Sequence, residues 1–294
     1  MKSGRIQYFL KTVYFCFVLF YSLQSKAGNE GFVFGPRALA TGQSGLMHTD
    51  VWANHNNIGA LGWLNSSSLG VSFDNRYNLS SLNQISFAGA AVSKKYGVFG
   101  LGLSRFGSEI FNQSRGSLGW SKAFGIASIG IQGQWYQVAA TDFPTKHQLV
   151  INFGGLAKLT SKLHFGASIS NLNQAKASEF QSERIPTIVR AGLTYIPNDK
   201  IRLVSEVQKD LDQKSIVKIG IEYEVLKKVW IRTGFSSQIE QVSGGLGVEW
   251  RNFQFQYAIA NHPQLGWSNS LGINFLLAKN GDPKQQGKSQ KEEK

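Results

Sequence analysis

Five histidines, His48, His55, His147, His164 and His262, have the widest chemical range of any residues in this chain, and their spacing limits them. No two stand at i, i+4 and none lies in a Glu-x-x-His frame, so a metal site would need ligands converging from distant segments. His164 and Ser168 share one strand face, but four steps of about 3.3 Å set them about 13 Å apart, too far for a nucleophile to bond its base. His48 and Asp50 flank Thr49, and adjacency in sequence makes no triad. Glu222 and Glu224 share a face, as do Glu206 and Gln208. A lumen-facing polar row explains them more simply than a paired acid and base. The single cysteine, Cys16, falls in the N-terminal leader, which excludes disulfides, thiolate catalysis and Cys-bound metals from the mature chain. No Gly-rich phosphate loop of the required spacing occurs. The sequence therefore predicts no enzyme, no cofactor and no metal.

The elements that position these residues are strands. Between residues 69 and 277 one unit recurs about fourteen times, a run of roughly eight to twelve residues with apolar side chains at every second position and a turn to close it. In residues 97–106, Phe99, Leu101 and Leu103 face one way and Gly100, Gly102 and Ser104 the other; glycine on the inner face predicts a closely packed lumen. The alternation recurs in 148–157, 216–225, 229–235 and 253–259. It ends in 269–277, where Leu271, Ile273, Phe275 and Leu277 share a face. Short connections near 94–97, 124–125, 160–162, 197–200, 226–228 and 251–252 alternate with longer polar ones near 77–82, 107–112, 139–147, 172–183, 208–214, 236–241 and 261–266. Alternate short and long turns on an up-and-down meander predict an all-β fold, a transmembrane antiparallel β-barrel of about 14 strands. Trp63, Trp120, Trp135, Tyr136, Tyr195, Trp230, Trp250 and Trp267 fall mostly toward strand ends, as two interfacial girdles require.

The first residues indicate export. Lys2, Arg5 and Lys11 make a basic start, residues 12–23 are apolar and aromatic, and Ser25-Lys26-Ala27 offers a cleavage site, so residues 1–27 read as a signal peptide. That apolar run is shorter than the twenty or so residues a helix needs to cross a hydrocarbon core of about 30 Å. No later segment has eighteen uninterrupted apolar residues, so any membrane span must be built from strands. The formal charge is +13; the leader holds four bases and no acid, which leaves 13 − 4 = +9 for the mature chain. Positive residues set singly in turns of an exported protein point to outer-membrane lipid and lipopolysaccharide, not to nucleic acid. Residues 278–294 form a polar, Lys- and Glu-rich tail that predicts disorder. An even strand count would place both termini in the periplasm.

Ahead of the strands lies a Gly- and Asn-rich segment, residues 28–67, the natural plug for a fourteen-stranded lumen. It contains GPRALATGQSG at 35–45 and TDVWANHNNIGAL at 49–61. These runs resemble the N-terminal signature of the FadL-like and PorV/PorQ-type outer-membrane barrels, G-x-R-x-x-x-x-G, then an Asp, then Asn-Pro-Ala-Gly-Leu. Here Asn57-Ile58-Gly59-Ala60-Leu61 replaces the last element, as in a small Bacteroidetes-type branch of that grouping. KYGVFGL at 95–101, AKLT at 157–160, ERIPTIVRAGL at 183–193 and HPQLG at 262–266 extend the likeness. It implies fourteen strands and a luminal hatch whose signature residues are Arg37, Gly42, Asp50, Asn54, Asn56, Asn57, Gly59 and Leu61. Gly42, Gly45 and Gly59 would permit sharp turns in a crowded lumen. Arg37, Asp50, Asn54, Asn56 and Asn57 would either bond to the barrel wall or satisfy one another.

Functionally, the PorV/PorQ resemblance implies an accessory or shuttle component of the type IX secretion system, with secreted proteins or secretion-machinery subunits as partners. The wider FadL-like resemblance implies a channel for a hydrophobic small molecule. A packed structural anchor in the membrane is a third reading. The sequence leaves all three open.

Overall fold

In the computed structural model, residues 33–176, 185–211, 213–238 and 240–277 are described. The leader, the 278–294 tail and much of the 172–183 connection lie outside them. Fourteen strands follow in order. The first seven are β1 (Ser68–Asn75), β2 (Asn83–Ser93), β3 (Gly97–Gly107), β4 (Phe111–Phe124), β5 (Ala127–Ala140), β6 (Lys146–Lys158) and β7 (Leu163–Ser170). The other seven are β8 (Ile188–Asn198), β9 (Ile201–Asp210), β10 (Ile216–Leu226), β11 (Val229–Ser236), β12 (Gln241–Trp250), β13 (Phe253–His262) and β14 (Gly266–Leu276). Each strand pairs antiparallel with its sequence neighbours, and β1 closes on β14 with Ser68 opposite Leu276 and Asn75 opposite Asn269. Closure removes the unpaired edge that an open sheet of this length would present.

The period-two pattern sorts the side chains as expected. On β10, Lys218, Gly220 and Glu222 point inward and are buried, while Val217, Ile219, Ile221 and Tyr223 point outward and are exposed. The same outward apolar set recurs on β1, β3, β8, β13 and β14, forming a continuous belt. Water tolerates exposed apolar patches of a few hundred Å². A belt around a whole barrel matches hydrocarbon, where a closed barrel satisfies every backbone group internally. The start of β1, the end of β14 and all the short turns share one end of the barrel. Lys228 at φ 70° and Arg251 at φ 53° take the left-handed conformation in two of those turns.

The aromatic girdle needs correction. Trp120, Trp135, Tyr195, Trp250 and Trp267 face outward, but Tyr136 and Trp230 point into the lumen and are buried. Trp63 belongs to the luminal segment, where its Nε1 donates to the Leu156 carbonyl at 3.4 Å beneath the Lys158 ammonium. Ring type alone does not separate a membrane-facing aromatic from a lumen-facing one on the adjacent position of the same strand.

The segment before β1 folds inside the barrel. It comprises two short helices, α1 (Pro36–Ala40) and α2 (Ala53–Asn56), and a 3₁₀ turn at Ile58–Trp63. Pro36 sits in the first turn of α1, where its missing N–H costs nothing. Phe34, Leu46, Val51, Trp52, Ile58 and Leu61 gather into an apolar cluster with Ala88, Ala90 and Leu156 of the wall. The plug thus shares a hydrophobic core with the wall, which its asparagine content obscures in the sequence.

Candidate functional site

The site is the seat of the plug in the lumen, and a carboxylate on the wall is its centre. Glu222 on β10 accepts from Arg37 Nη2 at 2.6 Å and Nε at 2.8 Å, and from Arg232 Nε on β11 at 2.8 Å. Arg37 also reaches Asp50 Oδ2 at 3.2 Å, and Asp50 Oδ1 accepts from the Trp52 N–H at 3.0 Å. One buried carboxylate therefore ties α1, the loop before α2 and two strands together. A planar guanidinium that bonds both oxygens fixes direction as well as distance. His48 Nε2 stands 3.9 Å from the same carboxylate, and burial together with Arg37 pushes the imidazole below its ordinary value, so it is neutral.

A second tie lies four residues back along β10. Lys218 Nζ on β10 donates to Glu206 Oε1 at 3.1 Å and to Gln208 Oε1 at 2.8 Å on β9, and Glu206 Oε2 accepts from the plug's Leu46 N–H at 3.0 Å. The ion pair cancels its own buried charge and leaves one carboxylate oxygen for the plug backbone.

The asparagines work mainly on backbone. Asn56 Oδ1 accepts from the Phe34 N–H at 3.0 Å and its Nδ2 donates to the Phe34 carbonyl at 2.8 Å, so one side chain clamps the first described residues. Arg190 Nη1 on β8 donates to the Asn56 carbonyl at 3.1 Å. Asn57 caps the 3₁₀ turn by accepting from the Gly59 N–H at 3.1 Å, while its Nδ2 donates to the carbonyls of Leu46 and of Gly155 on β6 at 2.9 and 3.2 Å. Asn54 Nδ2 donates to Ser117 Oγ at 3.2 Å, and its carbonyl accepts from Gln132 Nε2.

Glycine decides how closely plug and wall approach. Gly42, at φ 70°, donates its N–H to Ser243 Oγ at 3.0 Å, and a Cβ there would run into the Ile219 and Phe235 backbone. Across from it, a Cβ at Gly220 would lie 2.6 Å from the Thr41 carbonyl, and one at Gly234 would overlap the Gly42 nitrogen. Gly59 presses against Gly154 of β6, and its carbonyl accepts from Ser121 and Ser128 hydroxyls at 3.1 and 2.7 Å. Leu61 is fully buried against the wall at Gly100.

The eight signature residues all lie in the luminal segment: Arg37, Gly42, Asn54, Asn56, Asn57 and Gly59 bond to different strands of the wall, Asp50 bonds to Arg37 within the plug, and Leu61 packs on the wall. Sequence reading placed Glu222, Glu206 and Gln208 in a lumen-facing polar row without pairing them, and missed Arg232, Lys218 and Arg190. The available signal was charge at inward positions of adjacent strands, but register decides which charges are neighbours. Of the histidines, His55 stacks on Phe34 at 4.3 Å, its Nε2 lies 3.0 Å from the Phe87 carbonyl, and burial lowers its pKa to about 4. Among the described residues no group of three or more His, Cys, Asp or Glu side chains is placed to hold a metal ion.

A fourteen-stranded barrel with a folded luminal plug invites comparison with solved barrels. This chain has the fold of monoaromatic hydrocarbon channels. A deletion mutant of the TodX monoaromatic hydrocarbon channel superposes with a TM-score of 0.62 at 11% identity, covering 83% of this chain and 97% of that one. The CymD monoaromatic hydrocarbon channel superposes at 0.59 and 11% identity, covering 84% and 98%. At such identity the likeness is one of architecture. No family model matches the sequence, and no curated protein matches it. The outer-membrane barrel expectation thus has structural counterparts, and the finer PorV/PorQ one has none in these comparisons.

Proposed function

We propose that this protein is an outer-membrane channel for a hydrophobic small molecule, with the plug setting whether the lumen conducts. The supporting observation is that the barrel spans nearly the whole length of two hydrocarbon channels while its own lumen holds a folded segment seated on the wall by hydrogen bonds and ion pairs. Substrate passage on this reading needs the plug to shift from its seat, with Glu222 as the pivot of the strongest charge-assisted bonds. The short-turn end, which holds both ends of the strand array, faces the periplasm. No bond chemistry is assigned.

The secretion-accessory reading draws less support. Most connections at the long-loop end are short, residues 108–110 and 263–265 being three each, and 171–187 is the longest there with which to hold an exported protein. The deciding experiment is accumulation of labelled toluene by cells of a lipopolysaccharide-bearing bacterium expressing the protein, paired with mass spectrometry of proteins that co-purify from the native membrane. Faster uptake than in cells with empty vector supports the channel. Unchanged uptake with stoichiometric secretion subunits overturns it.

A further inference from the structure

We propose that the outer wall over β7 to β12 holds one anionic phospholipid from the leaflet at the short-turn end, its acyl chain in a groove and its phosphate on Lys162 and Lys200. The groove has a volume of about 580 Å³ and lies on the outward face of the barrel. It exists because Ser205 on β9, opposite Ile219 of β10, and Thr233 on β11, opposite Ile221, are small where neighbouring outward positions carry bulky apolar groups, so the wall dips on each flank of β10 at staggered heights. At its lower end it reaches Leu163, Tyr195 and Leu203, which lie beside the β6–β7 and β8–β9 turns.

Those turns supply the charge. Lys162 immediately precedes Leu163, and its carbonyl accepts from the Ile196 N–H at 2.8 Å, which sets it next to Tyr195. Lys200 lies in the β8–β9 turn, three residues before Leu203. Both are exposed, and neither forms an ion pair among the described residues.

They belong to a wider asymmetry. The short turns carry Lys94, Lys95, Lys162, Lys200, Lys227, Lys228 and Arg251 against Asp199 alone. In sequence, the connections at the other end carry Arg76, Lys176, Arg184 and Lys214 against Glu109, Asp142, Glu179, Glu183, Asp212 and Glu240. The excess positive charge of the chain thus gathers at the short-turn rim, where it attracts anionic headgroups. Only at Lys162 and Lys200 does that charge adjoin the apolar groove, so one amphiphile satisfies both. The lipid proposed for this groove is a phospholipid, because the basic rim lies opposite the long-loop end.

The inference rests on the membrane-barrel reading, and its test separates the two. The full-length protein is folded into vesicles of phosphatidylcholine and phosphatidylglycerol in equal parts, extracted in mild detergent, and its retained lipid identified by native mass spectrometry. Phosphatidylglycerol is expected to be enriched, with a loss of about five-fold for each of Lys162→Ala and Lys200→Ala. Filling the groove with Ser205→Phe and Thr233→Phe is expected to abolish retention, while Lys94→Ala with Lys95→Ala leaves it unchanged. Ser205→Leu substitutes for any groove variant that does not fold. Equal retention of the two lipids, an equal loss in the Lys94 and Lys95 variant, or a preference for lipopolysaccharide when it is added overturns the inference. Protein that shows no heat-shifted migration on a gel overturns the membrane reading itself.

Discussion

Glu222 makes the charge-assisted tie between plug and wall: Arg37 of the plug bonds both of its oxygens, and Arg232 of β11 shares one of them inside the lumen. Removing one partner of such a cluster leaves buried charge uncompensated, at about 3–5 kcal/mol. Glu222→Ala is therefore expected to release the plug, seen as faster hydrogen exchange at residues 33–67 and a higher single-channel conductance in a planar bilayer. Unchanged exchange would show that the contacts of Glu206 and Asn57 suffice. Acid should loosen the seat as well. His48 and His55 are neutral in the seated plug with lowered pKa values, His55 at about 4, whereas an unseated plug takes up protons near the ordinary value of 6.5. Seating is then undiminished above that pH and weakens as pH falls below it. Plug exchange at pH 5 should exceed that at pH 7.5, and the difference should vanish in the His48→Gln, His55→Gln variant.

The strands hold the plug through what they lack. Inward glycines on β10, β11 and β6 leave bare backbone where Thr41, Gly42 and Asn57 approach. Gly234→Leu would push a side chain into the position of Gly42 without touching the outward face of β11. The expected result is an unseated plug in an intact barrel, read as protease cleavage within residues 33–67 with heat-shifted migration retained. Loss of both would mean that the wall itself needs the plug. The alternation made the inward glycines visible in sequence, but not their alignment with the plug's turns, since that depends on how β6, β10 and β11 are staggered around the barrel.

For the molecule as a whole, the apolar belt is the feature that commits it to a bilayer. Leu101 lies midway along β3 with its side chain outward. Leu101→Arg should destabilise the folded state by about 2–4 kcal/mol if it sits at the midplane. Urea titration in vesicles would measure this. A change near zero would place Leu101 at an interface or in water. Inward Gly102→Ala tests the opposite face, because a Cβ there meets Asn54 and His55 at 2.6 Å and disturbs the plug instead of the lipid contact.

Period-two alternation and the order of turns were enough to determine the strands, their number and the two faces, because each is set by residues close in sequence. The luminal segment was read from its Gly- and Asn-rich composition and the family resemblance. Tertiary structure alone decided that Glu222 meets Arg37 and Arg232 and that Lys218 serves Glu206. Those pairings span up to 185 residues and depend on register and stagger, which one position of slip would reverse. The groove on the outer wall has the same origin. Ser205 and Thr233 are unremarkable along their own strands and become a groove only because register sets them beside Ile219 and Ile221 on the two flanks of β10.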